Sequence, residues 1–180
     1  MSNKETAYIV LFRGVGGATQ LPVETLRAVL SDAGFANVAT YINSGNAVLS
    51  SPMAGEEVAA KVAALVREKM DFRKSVLVAS LEEWEDLIAK NPFPHAVEQP
   101  TMLHAFLMEG APEAKRMAAL QEKPRSTETF AIRGRVLYLH TPDGMGRSLF
   151  APKIEPTLKV AMSARNWRSV LALRDMAAAI

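Results

Sequence analysis

The stretch VATYINSGNAVL, residues 38–49, decides the fold. Val38 to Ile42 and Ala47 to Leu49 are short branched and apolar runs. Between them, Asn43-Ser44-Gly45-Asn46 supplies the residue types that accept positive φ in a tight turn. The reading is an antiparallel hairpin, a connection that a wholly parallel sheet cannot use.

Working outward, Tyr8 to Phe12 is a continuous apolar run, the pattern of a strand buried on both faces. Pro22 opens a helix with Val23, Leu26, Val29 and Leu30 at helical spacing, and Gly34 stops it. Val58, Val62, Leu65, Val66 and Met70 form the apolar face of a second helix, and Ser75 to Ala79 is a further strand. The order is βαββαβ. Ser80 with Glu83 three residues on is a capping-box signature for a helix through Ala89, and Asn91-Pro92-Phe93-Pro94 ends it.

The order then repeats. Met102 to Met108 reads as a strand, Pro112 to Leu120 as a helix, and Thr127 to Ile132 with Val136 to His140 as a hairpin turned at Arg133-Gly134-Arg135. A short helix over Lys153 to Leu158, a strand over Val160 to Ser163 and a terminal helix from Asn166 complete it. The expected class is α+β, two tandem ferredoxin-like halves with antiparallel sheets and packed helices. The halves fall at residues 1–80 and 101–180, the second with the C-terminal helix, and a linking helix and connector occupy 81–100.

Composition narrows the function classes. The 180 residues are 49% hydrophobic, enough for a substantial core, and contain no cysteine, so disulfides, thiolate metal sites and cysteine nucleophiles are excluded. The first apolar run, Ala7 to Phe12, is too short for a membrane span or a secretory signal, so the expected location is cytoplasmic with no membrane partner. Net charge is only +2, but residues 141–180 hold six basic and three acidic side chains, which favours an anionic partner there.

Five separated motifs have a family likeness: YIVLFRGVGG, TYINSGN, NPF, YLHTPDGMGRS and ARNWRSV. Together they resemble an uncharacterised bacterial family, domain of unknown function 1697, whose usual opening reads like LLRGINVGG. The resemblance implies the duplicated ferredoxin-like fold and no assigned activity. The first loop is shorter than that opening, with Ala18-Thr19-Gln20 in place of the family's lysine and asparagine, and Leu149 stands where a lysine after GRS is usual.

Four clusters are candidate ligand-binding residues. Arg13, Gly14, Gly16 and Gly17 lie between a strand and a helix, where glycine amides can approach an anion; a plain tight turn is the leading alternative. Asn43, Ser44 and Asn46 put three polar side chains on the first hairpin, where they also serve the turn. Gly146, Arg147 and Ser148 end a flexible loop in a cation and a hydroxyl suited to a phosphate or carboxylate. Arg165, Asn166, Trp167 and Arg168 offer a helix cap and two guanidinium groups around an indole, either a stacking platform or a core anchor.

His95, His104 and His140 show no metal-ligand spacing, and no cofactor motif is present, so neither a metal nor a cofactor is expected. The favoured function is binding of an anionic ligand, a phosphate-bearing metabolite or single-stranded nucleic acid, between the halves. The alternatives are a phosphoryl- or acyl-transfer enzyme with His140 or Asp143 as base, and a homodimer that pairs strand edges.

Overall fold

The structure is a computed structural model and describes residues 4–180. Two compact units divide it: one runs through Asp86 and takes in Leu171–Ile180, and the other is Leu87–Val170. The sequence suggests boundaries at 80 and 100 and assigns the whole terminal helix to the second half. Here the division falls inside one helix and again inside the last one, because the spacing of apolar residues marks where a helix runs and not which core it serves.

The first unit is built on β1 (Thr6–Phe12), α1 (Val23–Asp32), β2 (Ala36–Thr40), β3 (Asn46–Ser51), α2 (Gly55–Met70) and β4 (Val76–Ser80). Its sheet has the order β2-β3-β1-β4 with every neighbour antiparallel. Tyr8, Val10 and Phe12 face a core closed by Leu26 and Leu30 of α1 and by Val58, Val62 and Val66 of α2. Ile9 and Leu11 point to the other face and are buried as well, so the continuous apolar run is a strand buried on both sides. α3 (Leu81–Ala89) follows, opened by the expected capping box: the Glu83 N–H donates to Ser80 Oγ at 3.1 Å, and the Ser80 N–H donates to Glu83 Oε2 at 2.8 Å.

The second unit repeats the order with β5 (Leu103–Met108), α4 (Ala114–Gln121), β6 (Thr129–Arg133), β7 (Val136–His140), α5 (Ile154–Leu158) and β8 (Met162–Asn166). Its antiparallel sheet is ordered β6-β7-β5-β8, the same pattern as the first. Phe106, Met108, Leu137 and Leu139 face a core with Leu120, Phe150, Ile154 and Leu158. α6 (Trp167–Ala178) ends the chain. The α+β class and the two ferredoxin-like halves follow from these two sheets and the helices packed on them.

Two strands differ from the sequence reading. β2 lies at 36–40 instead of 38–42: Ile42 takes φ 46° and belongs to the turn, while pairing with β3 reaches back to Ala36 across an irregularity at Asn37, φ 52°. β8 lies at 162–166 instead of 160–163. Lys159 adopts the left-handed conformation that ends α5, and pairing with β5 begins only at Met162 opposite Met108.

Candidate functional site

The glycine loop after β1 closes on itself. The Gly16 N–H donates to the Thr19 carbonyl at 2.7 Å and the Thr19 N–H donates back at 3.0 Å, with Gly17 at φ 56° in the bend. The Gly16 amide is thus committed to a two-residue turn, and α1 starts only at Val23, behind Pro22, which has no N–H to offer. Lys74 Nζ donates to the Gly14 carbonyl at 3.2 Å, and the Arg13 N–H donates to Ser75 at 3.1 Å. Turn geometry accounts for these glycines.

The hairpin tip packs beside that loop. The Phe12 N–H donates to the Gly45 carbonyl at 2.8 Å, and a Cβ on Gly45 would stand 2.7 Å from both the Phe12 carbonyl and Val15 Cγ2. Asn46 is buried, and its Nδ2 donates to the Tyr41 carbonyl and to Ser44 Oγ, both at 3.3 Å, so it folds the turn. Asn43 is exposed.

At the start of α6, Asn166 caps as expected: its Oδ1 accepts the Ser169 N–H at 3.0 Å. Trp167 is only 2% exposed, which makes its indole the core anchor of the two sequence readings. Arg165 Nη1 donates to Ser163 Oγ and to the Ala164 carbonyl, both at 2.7 Å, and burial pulls its guanidinium down to about 10. Arg168 is exposed.

The third cluster lines a cavity. About 310 Å³ of space lies within the second unit, bounded by Ser126, Thr127 and Glu128 on one side and by Thr141, Asp143, Gly144, Arg147 and Ser148 on the other. The β6–β7 hairpin builds it. Its register ends at Thr129 opposite His140, so the segments just beyond the two strands leave the sheet side by side. The loop then turns at Thr141–Gly144, with the Gly144 N–H on the Thr141 carbonyl at 2.9 Å, and enters a single 3-10 turn over Met145–Arg147.

Hydrogen bonds tie the two walls together. Thr127 Oγ1 donates to Asp143 Oδ2 at 2.6 Å, and Ser148 Oγ donates to Glu128 Oε1 at 2.8 Å. The other Glu128 oxygen accepts the Ser126 N–H at 2.8 Å. Glu128's own backbone N–H, then the Ser148 hydroxyl, hold its carboxyl below the usual carboxylate range, so it is ionised at neutral pH. The Ser148 hydroxyl also accepts the Ala151 N–H at 3.0 Å, so this serine braces the loop. Arg147 differs. It is exposed, and its guanidinium forms no hydrogen bond or ion pair with any described residue although two carboxylates line the same cavity.

Of the ligand-binding candidates read from the sequence, Arg147 and Ser148 line this cavity and the others stand elsewhere; Asp143, the candidate base of the enzyme alternative, lines it too. Ser126, Thr127, Glu128 and Thr141 were not among them, and hairpin register is the signal that finds them: Glu128 and Thr141 are the next positions outward from Thr129 and His140. His140 belongs to a separate ring cluster, 5.3 Å from His95 and 6.2 Å from Phe93 between centroids. Burial, then the nearby His95, push the His140 imidazole below its ordinary value. Among the described residues no group of three or more His, Cys, Asp or Glu is arranged to hold a metal, and no helix is long and apolar enough to cross a membrane.

A family model described as "Protein of unknown function (DUF1697)" matches residues 6–138. The chain belongs to this family. The matched stretch covers the first unit from Thr6 to Asp86 and the second as far as Tyr138 in β7, and leaves out both the 141–148 wall of the cavity and Leu171–Ile180. No curated protein matches. Among solved structures, the conserved bacterial protein SP0830 from Streptococcus pneumoniae is similar at a TM-score of 0.73 and 22% identity, over 97% of this chain and 99% of that one. At that identity the likeness concerns the fold alone.

Proposed function

We propose that this chain is a binding protein for a small ligand bearing a phosphate or carboxylate group, held at the cavity between Ser126–Glu128 and Thr141–Ser148. The observation that carries the reading is Arg147, a guanidinium with no partner among the described residues at the edge of a cavity of about 310 Å³. Guanidinium groups grip phosphate and carboxylate oxygens through paired N–H donors, and each such charge-assisted bond is worth about 1.5–3 kcal/mol. At ~30 Å³ per water, the space corresponds to about ten waters, the scale of a small metabolite.

Single-stranded nucleic acid has less support, because Trp167 is 2% exposed and its indole offers no face for a base. Calorimetric titration with glycerol 3-phosphate tests the small-ligand reading. Saturable binding is expected, weakened at least about tenfold by Arg147→Ala and reduced by added salt. An affinity that Arg147→Ala leaves unchanged overturns it.

A further inference from the structure

The cavity's charges point beyond a simple anion. Its lining contains two carboxylates, Glu128 and Asp143, against one guanidinium, Arg147, and none of the three forms an ion pair with a described residue. The two carboxylates are not alike. Glu128 has both oxygens occupied, by the Ser148 hydroxyl and by the Ser126 N–H. Asp143 accepts the Thr127 hydroxyl on Oδ2 alone, and Oδ1 accepts no hydrogen bond from a described residue.

A ligand that brought only negative charge would meet Arg147 and at the same time face both carboxylates across a small space. Like charges at that range oppose binding. A ligand with an ammonium as well as an anionic group answers Asp143 and Arg147 at once. The ammonium's donors suit Asp143 Oδ1, and the anionic oxygens suit the Arg147 guanidinium. Glu128 stays braced to Ser148, with the Arg125 charge also acting on its carboxylate.

We infer that the cavity takes a small zwitterion, an amine that also carries a phosphate or carboxylate, with Asp143 receiving the ammonium and Arg147 the anionic group. This rests on the anion-binding reading and names its ligand class.

The test compares phosphoethanolamine with glycerol 3-phosphate, which offers the same phosphate ester with hydroxyls in place of the ammonium. Calorimetry on the full chain is expected to give phosphoethanolamine at least about tenfold the affinity of glycerol 3-phosphate. In Asp143→Asn, whose amide oxygen still accepts the Thr127 hydroxyl, phosphoethanolamine weakens about tenfold while glycerol 3-phosphate tightens, since a repelling charge has gone. Equal affinities of the wild type for the two ligands, or equal weakening of both in Asp143→Asn, overturn the zwitterion and leave the anion site standing. Failure of both ligands to bind the wild type overturns the anion reading and this inference with it.

Discussion

His104 is where a single residue sets a measurable property of the fold. It sits in β5 opposite Leu139 and Asn166, its Nδ1 is buried without a hydrogen-bond partner among the described residues, and burial lowers its pKa from 6.5 to about 4. The native state therefore keeps a neutral imidazole where the unfolded chain takes up a proton. The linkage sign follows: this contribution is fully present above pH 6.5 and is lost as pH falls toward about 4, with a limiting size of about 3 kcal/mol. Thermal melts of wild type and His104→Leu check it. Acidification from about pH 7.5 to about pH 5 is expected to cost the wild type about 2 kcal/mol more than the variant. Equal losses would show that His104 does not govern that pH window. That His104 stands within an apolar strand is legible in the sequence. Its missing partner was not legible, since hydrogen bonding depends on neighbours brought in by β8.

At the scale of elements, the signals that held were those with a local physical cause. Ser80 and Glu83 satisfy each other's backbone N–H groups, a short-range bond pattern that the spacing alone specifies. Removing the cap with Ser80→Ala is expected to cost about 1 kcal/mol in denaturant unfolding, with no change in the shape of the transition; a loss below a few tenths would mean that α3 is held by its packing alone. The signals that slipped have non-local causes. Ile42 reads as strand because it is β-branched, yet it takes φ 46° and is 54% exposed, a conformation rare for its type. The neighbouring Gly45 is wedged against Phe12 and Val15, and the turn closes around that contact. Asn166 is the helix cap its residue type suggests, but it is also the last residue of β8, so that strand runs later than its apolar residues indicate.

Across the whole molecule, the repeated element order was legible because each hairpin has its own turn chemistry, Asn43 to Asn46 in one unit and Gly134 with Arg135 in the other. The grouping of Leu171–Ile180 with the first unit was not, since helical periodicity is blind to which core a helix joins. The candidate site was half legible. The loop ending at Arg147 and Ser148 stood out by composition, whereas its opposite wall, Ser126 to Glu128, becomes visible only once the β6–β7 register is fixed. The glycines at 14, 16 and 17 stand out as a motif and all take the positive φ of turn residues, with the Gly16 amide closed onto Thr19. The most direct test of the anion site is amide NMR of the labelled full chain titrated with glycerol 3-phosphate. Saturable shifts are expected at Ser126–Glu128 and Thr141–Ser148 and not at residues 13–17 or 43–46, and they should disappear in Arg147→Ala. Shifts centred on residues 13–17 or 165–168, or shifts that persist without Arg147, would contradict the assignment.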